Sequence, residues 1–388
     1  MRILITVFFN APLGGLQLHV RAQAKALTAA GFEPVVLVKP GPFADMLSSE
    51  GIMTIETDFA DPEPAAAVAL ASGPFGLVLA HPFKSRVAGM AVAKAQAIPC
   101  IVTMHGQYLD GMPQWKDEVS LVTAVSSAIR DSLVAQAAID PKKIVVIANG
   151  VDTDLYQPAA AARLSGMFPD LPLNDKRPRI VFSSRLDVDK QFILDVVKET
   201  WTRMIDLNQF DQDWWIAGDG TQRADMELAA QQVDQAAGRK VVHFLGWLEE
   251  EGLAAVYAAA DLAIAPGRCA LEAMACATPV IAIGSKGYAG LVDEDNFLAG
   301  AYGNFGGAGT KWDDYLPGRM HGEIESIIHN PERLKSLGQT MSGMMKAFFA
   351  QAWLDTQLLA LVRTRLRSTD KAGAVLEAAQ VVNAYGGA

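Results

Sequence analysis

The sequence predicts an α/β protein built from two doubly wound, Rossmann-like domains that face a cleft. Three observations predict it. Short apolar runs alternate with helical repeats along the first 150 residues, the alternation lapses in a polar, Pro-containing stretch, and it then restarts. At 388 residues the chain also exceeds what one hydrophobic core usually fills.

In the first half, ILITVFF (3–9) reads as a buried strand and leads into the loop NAPLGG. LQLHVRAQAKALTAAGF (16–32) follows with apolar residues at helical spacing, then the strand EPVVLVK (33–39). Further strands are expected in FGLVLAH (75–81), PCIVTMH (99–105), VSLVTAV (119–125) and KIVVIANG (143–150). Runs that are apolar at every position suit a parallel sheet covered on both faces. The stretch from 157 to 178 is rich in Ala, Pro and charge, and part of it is read as the linker.

The second half offers RIVFSSR (179–185), DWWIAGDG (213–220), KVVHFLGW (240–247), DLAIAPG (261–267) and PVIAIG (279–284) as strands. The predicted organisation is a domain over 1–165, a linker over 166–178, a second domain over 179–352 and a C-terminal helical segment over 353–388. The amphipathic FFAQAWLDTQLLALVRTRLR (348–367) is expected to pack back across both domains. In such folds ligands lie at the carboxyl ends of the strands, so the interdomain cleft is the expected site.

Composition narrows the function. The net charge of −10 argues against nucleic acid as a partner, because phosphate binding needs clustered cations. Three cysteines, Cys100, Cys269 and Cys276, have no metal-ligand spacing and suit a reducing compartment. No export signal or membrane span is evident, so the expected address is the cytoplasm, with peripheral contact at the inner face of the membrane allowed.

Candidate site residues cluster after predicted strands. Arg185 and Lys190, in SSRLDVDK, place a guanidinium and an ammonium where both can meet one anion; the alternative is an exposed turn with two solvated cations. Asp187 and Asp189 in the same stretch form a D-x-D triplet, a spacing that recurs at 211–213 and 293–295 and is common in turns, so no metal is expected. Gly218 and Gly220 lie between a strand and a helix, where backbone can approach a ligand, although Asp-Gly turns are widespread. In IGSKGYAGLV (283–292), Gly284, Gly287 and Gly290 could aim N–H groups at phosphate oxygens or simply form a surface loop. Glu272 is read near the start of a helix at the cleft edge, where it can accept hydrogen bonds from two ribose hydroxyls or only complement the helix end.

The order NGVDTDLYQP, SSRLDVDK, WWIAGDG, VVHFLGW, DLAIAPG, CALEAMACATPVIA and GSKGYAGLV resembles the nucleotide-sugar glycosyltransferases of family 4, which have the GT-B fold. The resemblance is dense from about 122 to 292 and continues more thinly through LGGLQLHVRAQAKALTAAGF and TMHG. It implies that Arg185 and Lys190 bind the donor diphosphate and that Glu272 holds the ribose. Leu245, Gly246 and Trp247 would border the base, Gly14 and Gly15 would line the cleft from the first domain, and His105 would lie beside the transferred sugar. Gly287, Tyr288 and Ala289 would face the phosphates. His19 and His81 are left as structural.

One departure stands out. The family carries an earlier glutamate in the same motif, but position 264 is Ile and the loop is compressed to PGRCAL, with Arg268 as its only charge. Arg268 or a backbone group then replaces the missing contact, the sugar specificity differs, or the chain binds a nucleotide sugar without transferring it. The resemblance implies a retaining, metal-independent hexosyltransferase with no cofactor beyond its co-substrate, a UDP-sugar. The acceptor would be a glycan, a lipid-linked molecule or a small molecule in cell-envelope or other glycoconjugate synthesis. The alternative is a non-catalytic nucleotide-sugar-binding subunit. A dinucleotide-dependent oxidoreductase is disfavoured because NAPLGG is not G-x-G-x-x-G. The aromatics Phe43, Tyr108 and Trp115 in first-domain loops, and the stretch from 303 to 320, carry no readable code.

Overall fold

The structure is a computed structural model that describes all residues except 10–13, 170, 174–175, 286, 307–314 and 371–388, and omits the side chains of 368–370. The chain divides into two compact units, one formed by Met1–Gly150 with Gln351–Ala388 and the other by Val151–Ala350.

The first unit holds a seven-stranded parallel sheet. Its strands are β1 (Arg2–Thr6), β2 (Glu33–Val38), β3 (Met53–Glu56), β4 (Leu77–Ala80), β5 (Cys100–Met104), β6 (Leu121–Ala124) and β7 (Ile144–Val146), in the spatial order β3-β2-β1-β4-β5-β6-β7. Alternate residues enter separate cores. Leu4, Val35, Leu37, Val78 and Val102 join one apolar cluster, while Ile3, Ile5, Val36, Val38, Leu79 and Ile101 join another. This is why the strands read as unbroken apolar runs: each has two buried faces.

The second unit repeats the plan in six strands: β8 (Arg179–Ser183), β9 (Asp213–Ala217), β10 (Val242–Gly246), β11 (Leu262–Ala265), β12 (Val280–Gly284) and β13 (Gly287–Leu291), ordered β10-β9-β8-β11-β12-β13. All pair in parallel except β13, which turns back against β12 with a bulge between Ala282 and Ile283. Two strands escape the sequence pattern. β3 is a four-residue edge strand with exposed ends, so it has no apolar run to announce it, and β13 is masked by its glycines.

The unit boundaries differ from those read in the sequence. Residues 151–165 belong to the second unit, because Tyr156, Ala160 and Leu164 are buried and the turn Pro158–Arg163 packs on the helix Glu250–Ala259. Alanine-rich composition suggests a linker, yet small side chains are what allow that close approach. The helix Gln351–Asp370 belongs to the first unit, where Leu358, Leu361 and Val362 enter the core beside Val20, Leu27 and Leu77.

Candidate functional site

In the second unit the predicted residues lie at the carboxyl ends of adjacent strands. After β8 the chain makes a short loop stitched to the loop after β9: Leu186 N donates to Asp219 O at 3.0 Å and Gln222 N to Leu186 O at 2.7 Å. Arg185 is about half exposed and donates through Nη1 to Asp187 Oδ2 at 2.9 Å and through Nη2 to Asp189 Oδ2 at 2.8 Å. Lys190 Nζ reaches the same Asp189 Oδ2 at 3.1 Å and Ser285 Oγ, just past β12, also at 3.1 Å. The two cations therefore converge on one anionic oxygen. Asp187 serves the loop as well, accepting from Thr221 N and Oγ1; these contacts hold its carboxyl below the usual range. Asp213 of a second D-x-D triplet pairs with Arg239, and Asp293 accepts from the N–H groups of Asp295 and Asn296, so these carboxylates are structural.

Gly218 and Gly220 are required by the protein's own backbone. A Cβ on Gly218 would sit 1.9 Å from Ser184 O, and one on Gly220 would sit 2.5 Å from Leu186 O. Their glycine identity is thus explained by loop-on-loop packing rather than by a ligand's approach. Leu245 and Gly246 end β10, with Gly246 at φ +71 and its carbonyl accepting from Gly218 N; Trp247 follows, 41% exposed.

The sequence placed Glu272 near a helix start at a site edge, and this is corrected. It is the sixth residue of the helix Gly267–Ala275, whose first turn carries no acidic residue, and it is 2% exposed. The helix-end role falls with it. Arg268, one turn earlier, donates through Nε to Glu272 Oε1 at 2.7 Å. Burial pushes the Glu272 carboxyl up and Arg268 opposes it. Arg268 Nη1 is buried with no partner among the described residues.

A second correction concerns 287–289. The segment is the antiparallel strand β13, not a loop. Tyr288 is a core residue, 1% exposed, whose hydroxyl donates to Glu323 Oε2 at 2.9 Å; Gly287 is buried, and Ala289 is half-buried at the bulge. Of the unread stretch 303–320, residues 307–314 lie outside the described residues. Asn304 and Phe305 both take positive φ, and Phe305 O accepts from Gly267 N at 2.8 Å, closing the start of the Glu272 helix.

In the first unit, Gly14 caps the helix Gly15–Ala29 and donates its N–H to Gln17 Oε1, while a Cβ on Gly15 would meet none of the described residues within 4 Å. His105 follows β5 and is not alone. Its Nε2 lies 2.8 Å from His81 Nδ1, and His81 Nε2 lies 3.2 Å from Gln23 Oε1. The amide oxygen can only accept, so His81 carries its proton on Nε2 and accepts from His105 Nε2–H. The ring of His19 stands edge-on to both, at 5.0 and 5.8 Å. Burial drives both His81 and His105 well below the usual imidazole range, so both are neutral near pH 7. Sequence reasoning missed this relay; its only signal was that His81 and His105 end neighbouring strands.

The chain matches two family models: Glycosyltransferase Family 4 over residues 13–155 and Glycosyl transferases group 1 over residues 177–304. Among curated proteins it is 28% identical to an alpha-maltose-1-phosphate synthase of Mycobacterium tuberculosis over 310 residues, covering 69% of this chain and 76% of that one. It is 26% identical over 326 residues to a D-inositol 3-phosphate glycosyltransferase of Segniliparus rotundus, covering 75% and 66%. Among solved structures, a glycosyltransferase from Rickettsia africae superposes with a TM-score of 0.74 at 18% identity, covering 94% of this chain and 98% of that one. Anabaena Alr3699/HepE in complex with UDP-glucose superposes at 0.68 with 20% identity, covering 94% and 99%. With one family model on the core of each unit and the same fold in these structures, the chain belongs to the GT-B glycosyltransferases of the family 4 type.

Proposed function

We propose that the protein transfers a hexose from a nucleotide sugar, a UDP-sugar, to an acceptor hydroxyl with retention of configuration, in cell-envelope glycan or other glycoconjugate synthesis. The observation that carries the reading is the convergence of Arg185 and Lys190 on a single Asp189 oxygen at the end of β8. A diphosphate oxygen offers the same cations a stronger partner, because it gains negative charge as the sugar leaves. The Anabaena structures, described as complexes with UDP and with UDP-glucose, agree with this choice of donor.

In this reading Arg185 and Lys190 hold the diphosphate and stabilise the leaving charge, while the buried Glu272 holds Arg268 in place. Leu245, Gly246 and Trp247 border the base, and Arg268 completes the donor surround in the second unit. In the first unit, His105, fixed in one tautomer by His81, offers a directed ring nitrogen to a sugar hydroxyl. The departing phosphate oxygen takes the acceptor proton, so the scheme needs neither a protein nucleophile nor a metal ion. A purely binding role is disfavoured because the relatives named above carry synthase or transferase names.

Calorimetry with UDP, GDP, ADP and NAD, followed by donor hydrolysis and transfer assays, tests the proposal. UDP binding that collapses in Lys190→Ala, with UDP-sugar turnover in the wild type, is the expected result. Preference for NAD, or UDP binding indifferent to both cations, overturns it.

A further inference from the structure

The buried stripe of the helix Gly15–Ala29 carries polar side chains among its apolar ones. Val20, Ala24 and Leu27 enter the core as the helical spacing requires, but His19 and Gln23, one turn apart, are buried beside them. A buried amide has to be hydrogen-bonded, and a leucine at 23 would fill the same place without that demand. Packing alone leaves Gln23 unexplained.

Its Oε1 lies 3.2 Å from His81 Nε2, and the other nitrogen of that ring, Nδ1, lies 2.8 Å from His105 Nε2. The two imidazole centroids are 5.0 Å apart with 29° between the planes. With nitrogens in bonding contact, that separation sets the rings edge to edge along the hydrogen bond rather than face to face. His19 closes the group, edge-on to His105 at 5.0 Å and to His81 at 5.8 Å. The end of β4 is pinned as well: His81 N donates to Thr6 O at 3.0 Å, and His81 O accepts from Ser85 Oγ at 2.9 Å.

Proton counting then decides what His105 offers. Burial keeps both rings neutral, so each carries one N–H, and two assignments satisfy the contact between them. In one, His105 Nε2–H donates to His81, and His105 Nδ1 is an acceptor. In the other, His81 Nδ1–H donates to His105, whose own proton then sits on Nδ1. The contact between the histidines does not distinguish the two. The amide oxygen of Gln23 does, because it only accepts: it holds the His81 proton on Nε2 and selects the first.

We infer that Gln23 is a positioning residue for the transfer reaction: acting through His81, it keeps His105 Nδ1 unprotonated, so that His105 accepts from a sugar hydroxyl and rejects a carboxylate. The inference rests on the glycosyl-transfer reading above, which puts a sugar hydroxyl beside His105, and it names the class of donor. A neutral hexose has a proton to give to the ring nitrogen; a uronic acid sets its carboxylate against a lone pair.

Long-range proton–nitrogen NMR on the histidine-labelled full chain, at about pH 8 and so above the usual imidazole range, assigns the proton on each ring. His105 protonated on Nε2 is expected in the wild type. Gln23→Met, similar in length but without the accepting oxygen, should show both forms. The same two proteins are compared in UDP calorimetry and in hydrolysis of UDP-glucose and UDP-glucuronic acid. Gln23→Met should lower kcat for UDP-glucose about tenfold, as for the loss of one hydrogen bond, and leave the UDP Kd within twofold. It should also narrow the wild-type preference for UDP-glucose over UDP-glucuronic acid. A merely structural glutamine would lower Tm and leave kcat and preference unchanged. His105 protonated on Nδ1 in the wild type, an unchanged tautomer in Gln23→Met, or a wild-type preference for UDP-glucuronic acid overturns the inference. A wild type that neither binds UDP nor hydrolyses either compound rejects the donor reading, and the ring protonation alone then decides whether Gln23 governs His105.

Discussion

Arg268 and Glu272 stand one helical turn apart, joined at 2.7 Å, with Glu272 2% exposed. Removing one member of a buried pair costs about 3–5 kcal/mol, because the remaining charge keeps no partner. Arg268→Ala should therefore lower stability by that order, and Arg268→Met with Glu272→Leu should restore most of it. The deficit has a pH signature. Burial already raises the folded Glu272 carboxyl above its unfolded value, and losing Arg268 raises it further. A raised acid favours the fold below the unfolded carboxyl pKa, about 4.3, and loses that advantage as pH climbs through the folded value. Urea melts should show the variant's deficit growing from pH 4.5 to pH 7.5; an equal deficit at both would mean that Glu272 is not the uncompensated charge.

His81 and His105 give the opposite dependence. Both are held neutral by burial, each with a folded pKa well below the usual value. Such groups support the fold above the unfolded imidazole pKa, about 6.5, and that support is lost as pH falls toward the folded values. His19, the other imidazole against them, acts in the same sense by repelling their charged forms. The Tm should fall as pH drops below about 6.5, and His81→Gln with His105→Asn should flatten that limb. A wild-type Tm constant from pH 7.5 to pH 5 would contradict the buried, neutral relay.

Most of the architecture was legible because both faces of each sheet are covered, so the interior strands print unbroken apolar runs. Six of the seven first-unit strands and five of the six second-unit strands announce themselves by apolar runs, the edge strands β7 and β10 among them. β3 is too short and exposed, and Gly287 to Gly290 carries the composition of a loop. The site was legible only as residue types after strands. Arg185 and Lys190 do meet at one oxygen, but motif spacing does not mark Asp189 as its source. Tyr288 read as a loop aromatic because nothing local reveals that Glu323, 35 residues on, receives its hydroxyl. Long-range partners of this kind are set by tertiary packing, which motif spacing does not encode.

The glycines separate stability from ligand contact. Gly218→Ala forces a Cβ to within 1.9 Å of Ser184 O, a backbone atom that cannot swing aside, so a loss of at least about 3 kcal/mol is expected. Gly15 opens a helix with none of the described residues within 4 Å of the added atom, and Gly15→Ala should leave stability unchanged or raise it by about 0.4–1 kcal/mol. Thermal melts check both values. Lost turnover in a fully stable Gly15→Ala protein would then report a substrate close to that helix start.

Lys190 tests the donor side with little interference from folding. Its ion pair with Asp189 is partly exposed, and pairs of that kind contribute about 0–1 kcal/mol, so Lys190→Ala should leave Tm nearly unchanged. Against a diphosphate the same ammonium makes a charge-assisted contact, whose loss at about 1.5–3 kcal/mol corresponds to roughly a ten- to hundredfold rise in the UDP Kd. Asp189→Asn carries the complementary expectation. That carboxylate competes with a phosphate for both Arg185 and Lys190, so neutralising it should tighten UDP or leave it unchanged while loosening the loop that holds the cations. Calorimetry at two salt concentrations checks both variants, because the contribution of Lys190 to UDP affinity should shrink as ionic strength rises. Equal UDP affinity in wild type and Lys190→Ala at low salt would remove Lys190 from the donor site.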